Sequence, residues 1–211
     1  MKNMRISENF VMTKSIAISL LIIAISLNAY GQNSINGHEC VDLGLSVLWA
    51  TCNVGASNPS DNGSYFAWGE TNPKTSYTEY NCTTWDKYIG DIAGNPSHDA
   101  ARTNWGSPWR MPTKAEIDEL VEKCEWQWMT MNGHNGYKVT GPNGYSIFLP
   151  ATGSMYESSN EVAGRYGNYY SSTPIEDDTT ISYCIIFSEV DYMVDMMDRG
   201  SGLTVRAVAR K

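Results

Sequence analysis

From Cys40 onward, apolar residues come in short runs broken by Gly, Asn and Pro, the rhythm of strands and turns rather than of long helices. One segment departs from it. In Met111–Cys124 the apolar residues Ile117, Leu120, Val121 and Cys124 recur at helical spacing, and Thr113 with Glu116 forms an S/T-x-x-E capping box at the start. A second, shorter helix is predicted from His98 to Asn104, with Ser97 as its cap. After Cys124 the period falls to two, with Trp126, Trp128 and Thr130 alternating with polar neighbours, and Asn132-Gly133 and Asn135-Gly136 supply turn residues. The segments 136–140 and 145–149 flank Gly141-Pro-Asn-Gly144 and read as a hairpin. Further strands are predicted at 181–187, 192–197 and 203–208. The pattern gives an α+β, β-rich chain of antiparallel hairpins with two short helices.

The N-terminal pattern differs. Lys2, Arg5 and Lys14 precede an apolar run over 15–27, and Asn28-Ala29-Tyr30-Gly31 places small residues before a cut after Gly31. This is the order of a secretory signal peptide over 1–31, followed by a single domain over 32–211. The run is shorter than the ~20 residues that span a bilayer, and no later segment is long enough. The expected destination is the periplasm, the cell surface or the medium.

The whole chain has a formal charge of -8, and three basic residues and one acidic residue fall in 1–31, leaving -10 on the remaining 180 residues. Such a charge opposes binding to nucleic acid, whose phosphates require cations. Export permits disulfides, and the five cysteines all follow residue 31. None has metal-ligand spacing, so no metal site and no cofactor are expected. Cys124 and Cys184 sit in apolar patterns that suit buried core positions, and Cys52 with Cys124 is the favoured disulfide.

Three groups of residues occur in a family order: Val41-Asp-Leu-Gly-Leu-Ser-Val-Leu-Trp-Ala-Thr-Cys-Asn-Val-Gly-Ala56, Tyr65-Phe-Ala-Trp-Gly-Glu70 and Trp109-Arg-Met-Pro-Thr-Lys-Ala-Glu116. With Asn104-Trp-Gly106, Ser146–Ala151, Tyr169–Ser172 and Gly202–Arg206, they resemble the Fibrobacter succinogenes major paralogous domain, a family of exported proteins of Bacteroidetes and Fibrobacter relatives. The resemblance implies a C-type-lectin-like fold. It also implies a binding face in the C-terminal third, where the polar or aromatic side chains around predicted turns and strand faces are Asn168, Tyr170, Asp178, Glu189, Asp191, Tyr192, Asp195 and Arg199. The chain departs from the family at Tyr170, where Trp is usual, and at Ala207, where Pro is usual. The loop and strand motifs by which calcium-dependent lectins hold sugar are absent, so calcium-dependent sugar binding is not expected.

A reaction centre needs a poised group and a partner that activates it. His38, His98 and His134 read as solvated surface residues without Cys, Ser or metal-ligand company, and the acidic residues lack a calcium-loop pattern. Trp49, Trp68, Trp105 and Trp109 read as core, Trp85 in a polar loop as a contact residue, and Arg110 and Arg206 as bracing charges. The expectation is a non-catalytic binding or adhesion module for a glycan or protein. The alternative is a structural or assembly component of the cell envelope, and an enzyme with an unrecognised site is the third.

Overall fold

The computed structural model describes residues 33–211, so the predicted signal peptide lies outside the described residues. Ten strands form three antiparallel sheets. The first holds β1 (Asn33–Ile35), β2 (His38–Asp42), β3 (Val47–Asn53) and β10 (Arg206–Arg210), in the order β1-β2-β3-β10. The second is the meander of β4 (Glu125–Met131), β5 (His134–Thr140) and β6 (Ser146–Pro150). The third is the meander of β7 (Tyr166–Pro174), β8 (Ile181–Ser188) and β9 (Tyr192–Asp198). Two α-helices, α1 (Ala100–Trp105) and α2 (Lys114–Lys123), join a single 3₁₀ turn at Glu79–Asn81.

Local chemistry sets the helix starts. Thr113 Oγ1 accepts from the Glu116 amide, and Glu116 Oε2 accepts from the Thr113 amide at 2.8 Å, so the box caps α2 from both sides. Ile117, Leu120 and Cys124 then face the core, while Val121 is only half-buried. The cap of α1 is Asp99 rather than Ser97: its buried carboxylate accepts from the Arg102 amide at 2.9 Å and also from Gly94 and Met111.

The hairpins follow the turn chemistry in two of three places. Asn132 and Gly133 take φ of +50° and +83° between β4 and β5, and the Gly141–Gly144 turn joins β5 to β6, with the Gly141 amide donating to Tyr145 O. Asn135-Gly136 is not a turn. Gly136 lies inside β5, opposite Met129 and Pro150, where a Cβ would stand 2.2 Å from Leu149 O. Glycine is there because another backbone comes too close for a side chain.

The β2-β3-β10 sheet is buried on both faces. Cys40, Ala50, Ala207 and Ala209 face one core, which contains Trp68, Trp105, Trp109, Tyr170 and Cys184. Val41, Trp49 and Val208 face a second, which contains Ile117, Leu120, Tyr137, Tyr169 and Phe187. This double burial accounts for the nearly unbroken apolar run at the start of β3, where a half-exposed strand would alternate. Arg206 crosses from this sheet to the next. Fully buried, its guanidinium donates to Asn53 Oδ1 (2.8 Å), Ala50 O (3.1 Å), Thr51 O (2.9 Å) and Phe148 O (2.9 Å), tying β3 to β6. Arg110 braces differently, pairing with Glu116 at 2.7 Å and so fixing the start of α2.

The favoured disulfide is not formed, and all five cysteines are free. By strand alternation Cys52 shares the face of Ala50, on the side of the first core, whereas Cys124 ends α2 within the second. The sheet separates them.

Candidate functional site

The eight residues assigned to a ligand-facing surface do not form one. Asn168, Tyr170 and Arg199 are 3%, 0% and 1% exposed, so they are interior residues. The Tyr170 hydroxyl meets the carbonyls of Asp198 and Ser201 at 2.5 and 3.0 Å, bracing the turn after β9. Burial raises the pKa of Tyr170 well above the usual phenol value, keeping it neutral. Polar and aromatic side chains around the predicted turns and strand faces read as surface-facing because polarity alone does not report burial.

Of the other five residues, four divide between the ends of one sheet and Asp195 lies between them. Asp178 precedes β8 and accepts from the Thr180 amide and hydroxyl, whereas Glu189 and Asp191 lie in the turn after it. Eight residues of strand separate these ends, about 26 Å at 3.3 Å per residue. Asp195 is exposed in the middle of the edge strand β9, and Tyr192 is half-buried at its start.

A surface recess does form at the Glu189 end. An open cleft of about 340 Å³ lies where the β4–β5 hairpin meets the start of β7 and the β8–β9 turn, lined by Trp128, Asn135, Arg165, Tyr166, Ser188 and Glu189 with Gly164 and Val190. Trp128 and Tyr166 are its aromatic lining, and an aromatic cluster packs against Trp128. Trp126 and Trp128 project from one face of β4, as their alternate spacing requires, and meet Tyr137 edge-on at 5.4 and 5.1 Å. Tyr137 in turn packs edge-on against Phe187 at 5.4 Å, and its hydroxyl bonds to Glu189 O at 3.3 Å. Its phenol pKa is raised by burial first, then by Tyr192, Asp191 and Glu189.

The cleft's polar groups are held at its rim. Asn135 is fixed by Thr130 (2.8 Å) and by Gly164 O (3.1 Å), while Arg165 donates to Glu161 O (2.9 Å) and keeps most of its donor edge exposed. Tyr166 is 44% exposed. Aromatic faces beside Asn, Arg and Glu can take the apolar face and the hydroxyls of a polar ring together. Of these residues, sequence reasoning assigned only Glu189. The signal for Trp128 was present in the Trp-x-Trp alternation, but nothing local brought Arg165 and Tyr166 to it.

A larger recess of about 400 Å³ lies at the edge of the first sheet, lined by His38, Glu39, Thr51, Cys52 and Trp105 among others. His38 is not a free surface residue: its ring stacks on Trp105, centroids 3.9 Å apart and planes 13° apart. Burial lowers its pKa, so at pH 7 it is neutral and serves as an aromatic plate. His98 is also tied, through Nδ1 to Gly69 O at 2.9 Å, whereas His134 is exposed on β5. Trp49, Trp68, Trp105 and Trp109 are interior. Trp85, read as a contact residue, is half-buried against Ala67, Tyr77 and Cys82, and the exposed aromatics of its loop are Tyr80 and Tyr88.

Among the described residues, no three of His, Cys, Asp and Glu converge in a way that could hold a metal ion, and no helix is long and apolar enough to cross a membrane. No family model, curated protein or solved structure matches the chain.

Proposed function

We propose that the chain is an exported, non-catalytic binding module of C-type-lectin-like fold, and that it recognises a glycan in the cleft between the β4–β5 hairpin and the β8–β9 turn. The motifs shared with the Fibrobacter succinogenes major paralogous domain support the fold, as does the β-rich antiparallel architecture with two α-helices. The observation that carries the function is the composition of the cleft. An open recess with Trp128 and Tyr166 as apolar plates and Asn135, Arg165 and Glu189 at its rim offers stacking and directional hydrogen bonds to one ligand. Openness suits a chain or a chain end displayed on a surface better than a small metabolite, which is held in deeper pockets.

The envelope-component reading would use the unpaired edge of β9, where Met193 and Met196 are exposed. That edge is guarded. The outward amides of Tyr192 and Met196 are occupied by the carboxylates of Asp191 and Asp195 at 2.8 and 2.9 Å, which disfavours strand addition.

The test is a broad array of glycans and envelope proteins probed with the purified protein, with calcium and with chelator. A saturable glycan signal, indifferent to chelator and lost in Trp128→Ala, is the expected result. A protein-only signal, or a glycan signal that survives both Trp128→Ala and Tyr166→Ala, overturns the assignment of this cleft.

A further inference from the structure

Arg199 is a buried cation with no ion-paired carboxylate: Asp178 is near enough to act on its charge but does not bond it. Its Nε donates to Ile181 O (3.1 Å) and its Nη1 to Lys87 O (2.9 Å) and, at 3.5 Å, Thr84 O, while the guanidinium lies 4.2 Å over the Trp68 ring. No carboxylate among the described residues is within ion-pair distance of it, and Nη2 has no acceptor. A guanidinium stays protonated in any protein setting, so this edge keeps a full charge to offer. Carbonyls and a ring face offset only part of the desolvation that a buried charge suffers.

Arg199 lines a pocket of about 140 Å³ together with Asp91, Glu176, Ile89, Pro174 and Ile175 among others. Its lining is mixed in sign. Asp91 is already bonded by Thr173 Oγ1 (2.6 Å) and the Ala93 amide (2.9 Å) but retains acceptor capacity, and Glu176 is exposed. A simple anion would meet Arg199 at the cost of Asp91 and Glu176 in the lining and of Asp178 nearby, and a simple cation would meet the carboxylates at the cost of Arg199. A ligand that carries both charges a few bonds apart avoids each penalty.

We propose that this pocket binds a small free α-amino acid, its carboxylate on Arg199 Nη2 and its ammonium toward Asp91 and Glu176. With about 30 Å³ per water-sized group, the space holds roughly five such groups, the size of glycine or alanine. Ile89, Pro174 and Ile175 give the Cα side of the ligand an apolar wall. The pocket lies at the Ile181 end of β8 and the glycan cleft at the Ser188 end, so neither site depends on the other.

The experiment is a titration of the ¹⁵N-labelled protein with L-alanine, followed at the Gly90, Ile175 and Thr179 amides, with acetate and ethylamine as single-charge controls at equal ionic strength. Saturable shifts confined to these amides for L-alanine, and linear shifts for the controls, are expected. Glu176→Gln, at an exposed position outside the core, is expected to weaken binding several-fold, and Arg199→Lys about tenfold, the worth of one charge-assisted hydrogen bond. Should Arg199→Lys fail to fold, Glu176→Gln and Asp91→Asn decide the matter. Acetate saturating the same amides as tightly as L-alanine, binding unchanged in Glu176→Gln, or no saturation by about 100 mM, a hundredfold above a millimolar dissociation constant, overturns the proposal.

Discussion

Trp126 on β4 and Tyr192 on β9 stack face to face, ring centroids 4.7 Å apart and planes 10° apart, joining two sheets that share no hydrogen-bonded strands. The indole also donates to Leu120 O at 3.3 Å, so one side chain links α2, the second sheet and the third. Aromatic pairs contribute about 0.5–1.5 kcal/mol beyond the area they bury. A double-mutant cycle of Trp126→Leu and Tyr192→Leu, read by urea unfolding, should give a coupling energy in that range.

Arg206 should be indispensable to folding. Its removal leaves three backbone carbonyls and Asn53 Oδ1 without their donor inside the core. Arg206→Met is expected to cost roughly 3–5 kcal/mol, and Arg206→Lys should recover little because an ammonium cannot reach four acceptors arranged for a planar fork. Chemical denaturation of both variants checks this.

Acid should loosen the join between α2 and the β2–β3 turn. Burial works to raise the Glu119 pKa, but the Ser46 hydroxyl, Lys123 and the Ser46 amide outweigh it and hold the carboxyl at about 2, below its ordinary 4.5. A depressed folded pKa means that this contribution is fully present above pH 4.5 and is lost as pH falls toward 2. Over that window Glu119→Gln should show a shallower fall in stability than the parent chain, measured by thermal unfolding at a series of pH values.

Gly136→Ala should destabilise the second sheet although it is the smallest substitution available. The added Cβ would meet Leu149 O at 2.2 Å and Pro150 Cα at 2.8 Å, and backbone cannot rotate away as a side chain could. A loss of roughly 1–3 kcal/mol, the usual scale of overpacking, is expected in denaturant melts.

Thiol chemistry should single out Cys52. It is half-exposed, whereas Cys40, Cys82, Cys124 and Cys184 are buried. Under native conditions a maleimide should label Cys52 quickly and the other four only on unfolding, with mass spectrometry counting five thiols in total. Slow uniform labelling, or a count of three, would contradict the arrangement.

Elements written in local chemistry were legible in the sequence. The Thr113/Glu116 capping box, the Asn132-Gly133 and Gly141–Gly144 turns, and the strands β8 and β9 each depend on residues close together in the chain. Asn135-Gly136 misled because an Asn-Gly pair answers equally to a turn and to a close crossing of backbones, and only the partner strand distinguishes them. The site was legible in fragments. Glu189 and the Trp-x-Trp alternation stood out, but Asn135, Arg165 and Tyr166 join them through pairings between distant segments. Tyr170 shows the reverse error: a polar group placed on the surface in the sequence reading is drawn inward by the carbonyls of Asp198 and Ser201.

The pairing of β10 with β3 also orders events in time. Arg206 reaches Thr51 across 155 positions, and until residues 206–210 take their place the β3 edge is open and both cores lack a wall. Loop closure over such a separation must precede the contacts that reward it, so this pairing can form only after nearly all of the sequence is present. A nascent chain of this design cannot complete either core until its last residues have been made.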